Sequence, residues 1–327
     1  MLSKKKYAAI DKMNALGKIG KPFFFIFDFE LKKIIIHTLD ELEGKNIFFE
    51  IRDRGAKNIS TEKNLPHFFL KKYPEVFEVY QQKFQKIISG INYGNSFLAN
   101  LTCATPIEIN LSLKEIFAFS EAKYKLLYKN KFVCFSPETF VKISNGKIST
   151  FPMKGTIDAD LPDADSILLN DAKEKAEHNT IVDLLRNDLG SICEKVWVEK
   201  FRYIDKIFTQ NGALLQMSSE ICGVLPENYP QQIGTLLLRL LPAGSICGAP
   251  KVATLQLIKS VEGYERGFYT GIAGIFDGKN LDSCVLIRFI ERTPQGFVFK
   301  SGGGITSQSD ALSEYAEMIQ KIYLPIL

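Results

Sequence analysis

Lys131-Phe132-Val133-Cys134-Phe135-Ser136-Pro137-Glu138-Thr139-Phe140-Val141-Lys142-Ile143-Ser144-Asn145-Gly146-Lys147-Ile148-Ser149-Thr150 reads as strand, corner, strand, turn, strand. The runs 131–135 and 139–143 are rich in β-branched and aromatic residues, which suit a pleated, half-buried surface. Ser136-Pro137-Glu138 breaks them apart. Asn145-Gly146 is a strong hairpin signal, because the tight turn that joins twisted antiparallel strands needs positive φ at both central positions. Outward from this stretch the same grammar recurs. Tyr269–Phe276 and Ser283–Glu291 pair across Asp277-Gly278-Lys279-Asn280. Further strands are predicted at Phe23–Phe29, Lys32–Thr38, Asn46–Arg52, Phe97–Thr102, Lys195–Phe201, Leu214–Leu225 and Phe297–Lys300.

Between them lie helical stretches. Glu75–Ser89 carries Val76, Val79, Tyr80, Phe84, Ile87 and Ile88 near a 3.6-residue period. Others are Leu113–Glu121, Asp165–Leu189, Tyr229–Leu241, a helix from Pro250 through Lys259, and Ser309–Tyr323. Strands that arrive through hairpins are antiparallel, so the expected class is α+β with large, mostly antiparallel sheets rather than a doubly wound parallel sheet.

The composition excludes several classes. With 327 residues and 46% apolar content the chain can bury a large core. No apolar run approaches the ~20 residues that cross a bilayer, and the lysine-rich start lacks the apolar segment of a secretory signal. The net charge of +4 is modest, and no basic cluster is interleaved with aromatics as on a nucleic-acid surface. Cys103, Cys134, Cys193, Cys222, Cys247 and Cys284 form no C-x-x-C pair, which fits small buried hydrophobes in a reducing cytoplasm. Three histidines give a histidine metal site or a Ser-His-Asp relay little material. Oxygen ligands and lysines are left to carry the chemistry.

Four features could do so. Lys154, in Phe151-Pro152-Met153-Lys154-Gly155-Thr156, stands where Pro152 and Gly155 punctuate the end of a strand. It is either a solvated lysine, the ordinary case, or a nucleophile freed by desolvation. Glu314 and Glu317, spaced i, i+3, share a helix face, and Glu177 sits on another helix with Asp183 expected near the same side. Such carboxylates suit Mg²⁺, unless they are plain solvated charges. Pro242-Ala243-Gly244-Ser245-Ile246-Cys247-Gly248-Ala249-Pro250-Lys251 is a small-residue turn running into a helix, with Pro250 at its first position, and Ser301-Gly302-Gly303-Gly304-Ile305 is a second glycine loop. Arg288, inside an apolar strand, wants an anion from the protein or from a ligand, and Tyr269 faces it as a core aromatic or a hydroxyl donor. A small ligand with two carboxylates satisfies all four.

Taken in order, Ser136-Pro137-Glu138, Pro152-Met153-Lys154-Gly155-Thr156, Glu177-His178 through Arg186-Asn187-Asp188, Gly244 through Lys251, Tyr269-Thr270-Gly271, Gly302 through Ile305 and Glu314-Tyr315-Ala316-Glu317 resemble the chorismate-utilising enzymes. That family includes anthranilate, aminodeoxychorismate, isochorismate and salicylate synthases. The resemblance covers residues 85–327, which it makes a chorismate-binding catalytic domain, with 1–84 a strand-rich region packed on it. It implies two large antiparallel sheets packed together, helices outside, and an active site in the cleft between them.

By motif, Glu177, Glu314 and Glu317 then look like Mg²⁺ ligands at the ring carboxylate. Tyr269, Arg288, the amides around Gly302 and Gly303, and Lys321 look like the grip on the enolpyruvyl carboxylate, with Thr156, Gly248 and Lys251 also at the substrate. Glu138 looks like the general acid and base. Lys154 resembles the aminodeoxychorismate synthase component I branch, in which a lysine attacks ring carbon 2 and expels the 4-hydroxyl before ammonia adds at carbon 4. Leu98 stands where isochorismate synthases carry a water-activating lysine. Gln216 stands where many relatives have histidine, and an amide can hydrogen-bond a leaving hydroxyl but cannot protonate it. The resemblance thus implies 4-amino-4-deoxychorismate synthesis toward 4-aminobenzoate and folate. Ammonia would come from a separate class I glutamine amidotransferase subunit, and a separate lyase would act downstream. Anthranilate synthesis and a catalytically weak chorismate-binding subunit are the alternatives.

Overall fold

The computed structural model describes residues 4–52, 56–57, 67–209 and 212–326. In chain order its elements are α1 (Lys4–Lys18), β1 (Phe23–Phe27), β2 (Ile34–Thr38), β3 (Ile47–Ile51), β4 (Ala56–Lys57), β5 (Leu70–Lys72), α2 (Phe77–Asn92), β6 (Leu98–Ile109) and α3 (Leu113–Phe119). There follow β7 (Tyr124–Tyr128), β8 (Phe132–Ser136), β9 (Thr139–Ser144), β10 (Lys147–Thr150), β11 (Met153–Asp158), α4 (Ala164–Asn170), α5 (Ala172–Gly190), β12 (Lys195–Thr209) and β13 (Gly212–Val224). The last are α6 (Ile233–Leu240), α7 (Gly244–Cys247), β14 (Gly248–Ala249), α8 (Lys251–Glu262), β15 (Ile272–Phe276), β16 (Leu281–Val285), β17 (Phe289–Thr293), β18 (Gly296–Ile305) and α9 (Ala311–Gln320). The expected class holds: α+β, with two large antiparallel sheets and helices. Each sheet belongs to its own compact unit.

The first unit comprises Met1–Leu39, Glu138–Ser245 and Gly271–Val285. Its sheet runs β11-β13-β10-β9-β16-β15-β1-β2, with β12 also on β13. Every residue of β1, β15 and β16 is buried; β1 and β15 are continuous apolar runs rather than alternating ones, and β16 adds the buried polar residues Asp282 and Ser283. The lysine-rich start is the first turn of α1. Asn14 on α1 accepts from Gly234 N at 2.9 Å and donates to Thr235 Oγ1 at 2.9 Å, giving the first turn of α6 the partners its own backbone lacks. At the other end of the sheet Ala164, Leu168, Leu215 and Met217 form a small core.

The second unit comprises Asp40–Pro137, Ile246–Thr270 and Leu286–Leu327. Its sheet runs β14-β6-β18-β17-β8-β7-β3-β4, with β5 on β6. α2 contributes Tyr80, Phe84 and Ile87 to a core shared with Leu101, Phe135, Phe299 and Met318.

Four boundaries differ from the sequence reading. The helix expected over 165–189 is two helices, because Asp171 ends α4 and caps α5, accepting from Glu174 N at 2.8 Å. The strand expected over 283–291 is β16 and β17, which belong to different sheets; Arg288 between them has φ of 53°. Tyr269 stands in a turn before β15, not in a strand. The Gly302-Gly303-Gly304 run is no loop but the end of β18, paired with β6 in the register Gly302↔Thr102, Gly304↔Asn100. No helix among the described residues is long and apolar enough to cross a membrane.

Candidate active site

In the first unit the site is built on β11. Lys154 lies opposite Met217 and Thr156 opposite Gln216, so Gly155 is an extra residue, a bulge with φ of +75°. Residues directly opposite share a face and neighbours along a strand alternate. The bulge therefore turns Lys154 to the face of buried Met217 and leaves Thr156 beside Gln216, whose Nε2 lies 3.5 Å from Thr156 Oγ1. Lys154 is the second residue of a new strand rather than the end of an old one.

α5 packs on β11, β12 and β13 and brings Glu177 to Lys154, with Nζ donating to Oε2 at 3.1 Å. Their side chains are 25% and 9% exposed, which makes this a sheltered ion pair rather than a solvated lysine. The next residue, His178, is fully buried and shares a 2.7 Å hydrogen bond between Nε2 and Ser219 Oγ. Burial, with Arg202 and Lys154 nearby, holds its ring neutral, lowering its pKa to about 4. It anchors the helix that carries Glu177. Asp183, expected near Glu177's side, is 75% exposed and pairs with Arg186. Six residues on from Glu177 the helix has turned ~240°, which faces it away.

Glu138 opens β9's segment. Its carbonyl accepts from Val285 N, and its Oε1 accepts from Ser245 Oγ at 2.7 Å. Sequence reasoning gave Ser245 no role. The signal was there, a hydroxyl in an otherwise apolar Pro242–Pro250 turn.

In the second unit α9 packs on β18. A Cβ on Gly303 would lie 3.1 Å from Glu314 Oε2, 3.6 Å from Glu317 Oε1 and 3.6 Å from Lys321 Nζ, so the missing side chain makes the space in which these groups meet. Ser309 Oγ donates to Glu314 Oε1 at 2.9 Å. Lys321, the C-cap of α9, donates to Gly302 O at 2.8 Å and pairs with Glu317 Oε1 at 2.5 Å. Carboxylate oxygens are the hard donors that Mg²⁺ takes; Glu314 and Glu317 supply them here, with the Lys321 ammonium against Glu317. Among the described residues no three or more His, Cys, Asp or Glu side chains gather as a ready-made metal nest.

Arg288 is half-buried, its guanidinium lying 5.5 Å from the centre of the Tyr323 ring. Its Nε is buried without a hydrogen-bond partner among the described residues. Tyr269 is buried too, and burial raises its hydroxyl pKa while the Arg266 and Arg288 cations oppose this. Gly248 has φ of +115°, and a Cβ there would fall 1.7 Å from Leu98 O, so only glycine allows β14 to lie on β6. Lys251 opens α8, with Pro250 as N-cap rather than first helical residue. The candidates thus form two groups, one in each unit: Lys154, Glu177, Thr156, Gln216 and Glu138; then Glu314, Glu317, Lys321, Gly302, Gly303, Tyr269, Arg288, Gly248 and Lys251.

Among these candidates stand Glu314, Glu317 and Lys321 gathered at Gly303, an Arg288 Nε without a hydrogen-bond partner among the described residues, and the sheltered Lys154–Glu177 pair. The family model for chorismate binding enzymes matches residues 60–326. The chain belongs to that family. It is 52% identical over 317 residues to an uncharacterized PabA-like protein of Haemophilus influenzae, covering 97% of this chain and 96% of that protein. A second uncharacterized PabA-like protein, from Pasteurella multocida, is 50% identical over 322 residues, covering 98% and 99%. In fold the chain is similar to anthranilate synthase component I from Streptococcus pneumoniae, with a TM-score of 0.67 at 23% identity, over 91% of this chain and 70% of that one.

Proposed function

We propose that this protein converts chorismate and ammonia to 4-amino-4-deoxychorismate, as an aminodeoxychorismate synthase component I. The observation that carries this reading is Lys154, held by a bulge and a helix at Glu177 instead of in solvent. The Nζ of Lys154, as the uncharged amine, attacks ring carbon 2, the ring double bond shifts, and the 4-hydroxyl leaves with a proton from Glu138. Ammonia then adds at carbon 4 and the shift reverses, expelling the lysine amine. Splitting one hard substitution into two displacements lowers each barrier. Nζ is 3.1 Å from Glu177 Oε2, so attack requires that contact to be given up. Glu138, oriented by Ser245, is the proton donor, while Gln216, on the other face of β11 and β13 from Lys154, takes no part in this step.

Mg²⁺, for which Glu314 and Glu317 would be the donors in the second unit, would neutralise the ring carboxylate. Arg288, Tyr269 and Lys321 would hold the enolpyruvyl carboxylate, which gives the Arg288 guanidinium its anion. Ammonia would come from a glutamine amidotransferase subunit, and a separate lyase would release 4-aminobenzoate.

The test is a product assay on pure protein with chorismate, Mg²⁺ and ammonium. 4-Aminobenzoate is expected only when lyase is added. Anthranilate fluorescence without lyase overturns the assignment. Lys154→Ala should abolish turnover, and Glu138→Gln should cost on the order of 10²–10⁴ in kcat. Unchanged rates in both would reduce the protein to another chemistry.

A further inference from the structure

Beneath the anion-facing residues of the second unit lies a buried ion pair that no step above uses. Arg266 and Glu262 are 3% and 4% exposed. Arg266 spends all five of its N–H donors. Nε reaches Glu262 Oε2 at 2.9 Å and Nη2 reaches Glu262 Oε1 at 2.6 Å. The remaining three go to Ile246 O at 3.0 Å, Thr270 Oγ1 at 3.3 Å and Asn100 O at 2.6 Å. Glu262 Oε1 also accepts from Thr102 N and Thr102 Oγ1, and that hydroxyl in turn accepts from Tyr264 OH.

Each anchored segment carries a candidate binding motif. Ile246 precedes Gly248 and Lys251. Thr270 follows Tyr269, its N–H donates to Leu286 O, and its own hydroxyl donates to Tyr269 O at 2.6 Å. Asn100 and Thr102 are the register partners of Gly304 and Gly302. Thr270 also has φ of 59°, a left-handed conformation that β-branched residues rarely adopt and that its surroundings must enforce. A buried ion pair is no better for stability than a well-packed apolar pair of the same volume, because both charges lose their water. What it supplies is fixed geometry, and here one planar fork fixes three binding elements together.

We propose that Arg266, clamped by Glu262, is the positioning residue for the carboxylate grip, setting Tyr269, the Gly248–Lys251 segment and the glycine end of β18 in mutual register. This rests on the reading that the second unit holds the enolpyruvyl carboxylate. That group lies away from the reacting carbons, so it is gripped alike in ground and transition states. Loosening the grip therefore raises KM and spares kcat.

The test is steady-state kinetics, measured as chorismate consumption, on Arg266→Lys, which keeps the charge but cannot fill five directions. Thr270→Val is the second variant, severing one link while leaving the ion pair whole. KM for chorismate should rise on the order of tenfold or more in both, with kcat within about a factor of three. A variant with unchanged KM and a reduced kcat has lost folded enzyme alone, and that result overturns the proposal. If Arg266→Lys does not fold, Thr270→Val decides. Consumption is read whatever the product, so an anthranilate product would sink the proposed reaction and leave this inference standing. A wild-type protein that neither consumes chorismate nor binds it by calorimetry sinks both.

Discussion

In an unbroken strand Lys154 and Thr156 would project from the same face, because side chains alternate with a period of two. Gly155 breaks that rule. Its left-handed backbone inserts one residue against β13, and the lysine and threonine part company onto opposite faces. An alanine there would adopt φ of +75° at a cost of about 1–2 kcal/mol. Its Cβ would also meet Leu168 Cδ1 at 2.8 Å. Gly155→Ala should therefore lose that much stability in denaturant titration and lose more activity than the folded fraction explains. Full activity per folded molecule would show that the bulge does not aim Lys154.

The glycine end of β18 and the helix α9 make the second working element. β17 pairs with β18 only as far as Lys300, so the glycines have β6 on one edge and no partner strand on the other among the described residues. Gly303→Ala would put a methyl 3.1 Å from Glu314 Oε2 and push the carboxylates apart. Calorimetric titration should then show Mg²⁺ binding weakened on the order of 10–100-fold, the range seen when a ligand's support is removed. Unaltered affinity would place the metal elsewhere.

How much of these elements was legible follows from how local their causes are. Asn145 and Gly146 have φ of 50° and 81°, the hairpin geometry their residue types announce. Glu314 and Glu317 share a face because i, i+3 spacing on a helix obliges them to. The switch of sheets at Arg288 was not legible, since an arginine gives no local sign of a left-handed backbone. Glu262 and Arg266, on either side of the left-handed Gly263 that ends α8, carry no local sign of burial. Burial at that site is decided by β6 and the 246–250 segment, far away in sequence. Lys154 and Glu177 likewise meet only because α5 packs on β11.

At the scale of the whole chain, each sheet is woven from three separated segments, and the N-terminal β1 lies inside its sheet between β15 and β2. That makes the end of β1 a place where a charge matters to global stability. Asp28 follows directly after Phe27, is 4% exposed, and accepts from Lys33 N at 2.7 Å as the β1–β2 hairpin closes. Burial raises its pKa above the ordinary 3.8, with Glu30 adding to the rise and backbone hydrogen bonds from Lys33 and Lys32 opposing it. A carboxyl raised in the folded state binds its proton there more tightly than in the unfolded chain. The stability it lends is thus complete below the ordinary aspartate range and is lost as pH climbs through the raised value. At neutral pH the buried carboxylate is a net cost. Asp28→Asn keeps an oxygen for Lys33 N and removes the titration. Urea unfolding of the two proteins, measured in parallel from acid to neutral pH, should show the variant gaining on the parent as pH rises and exceeding it at neutrality. If the parent stays the more stable at pH 7, the carboxylate is compensated by its lysine neighbours, and the net cost assigned to its burial is absent.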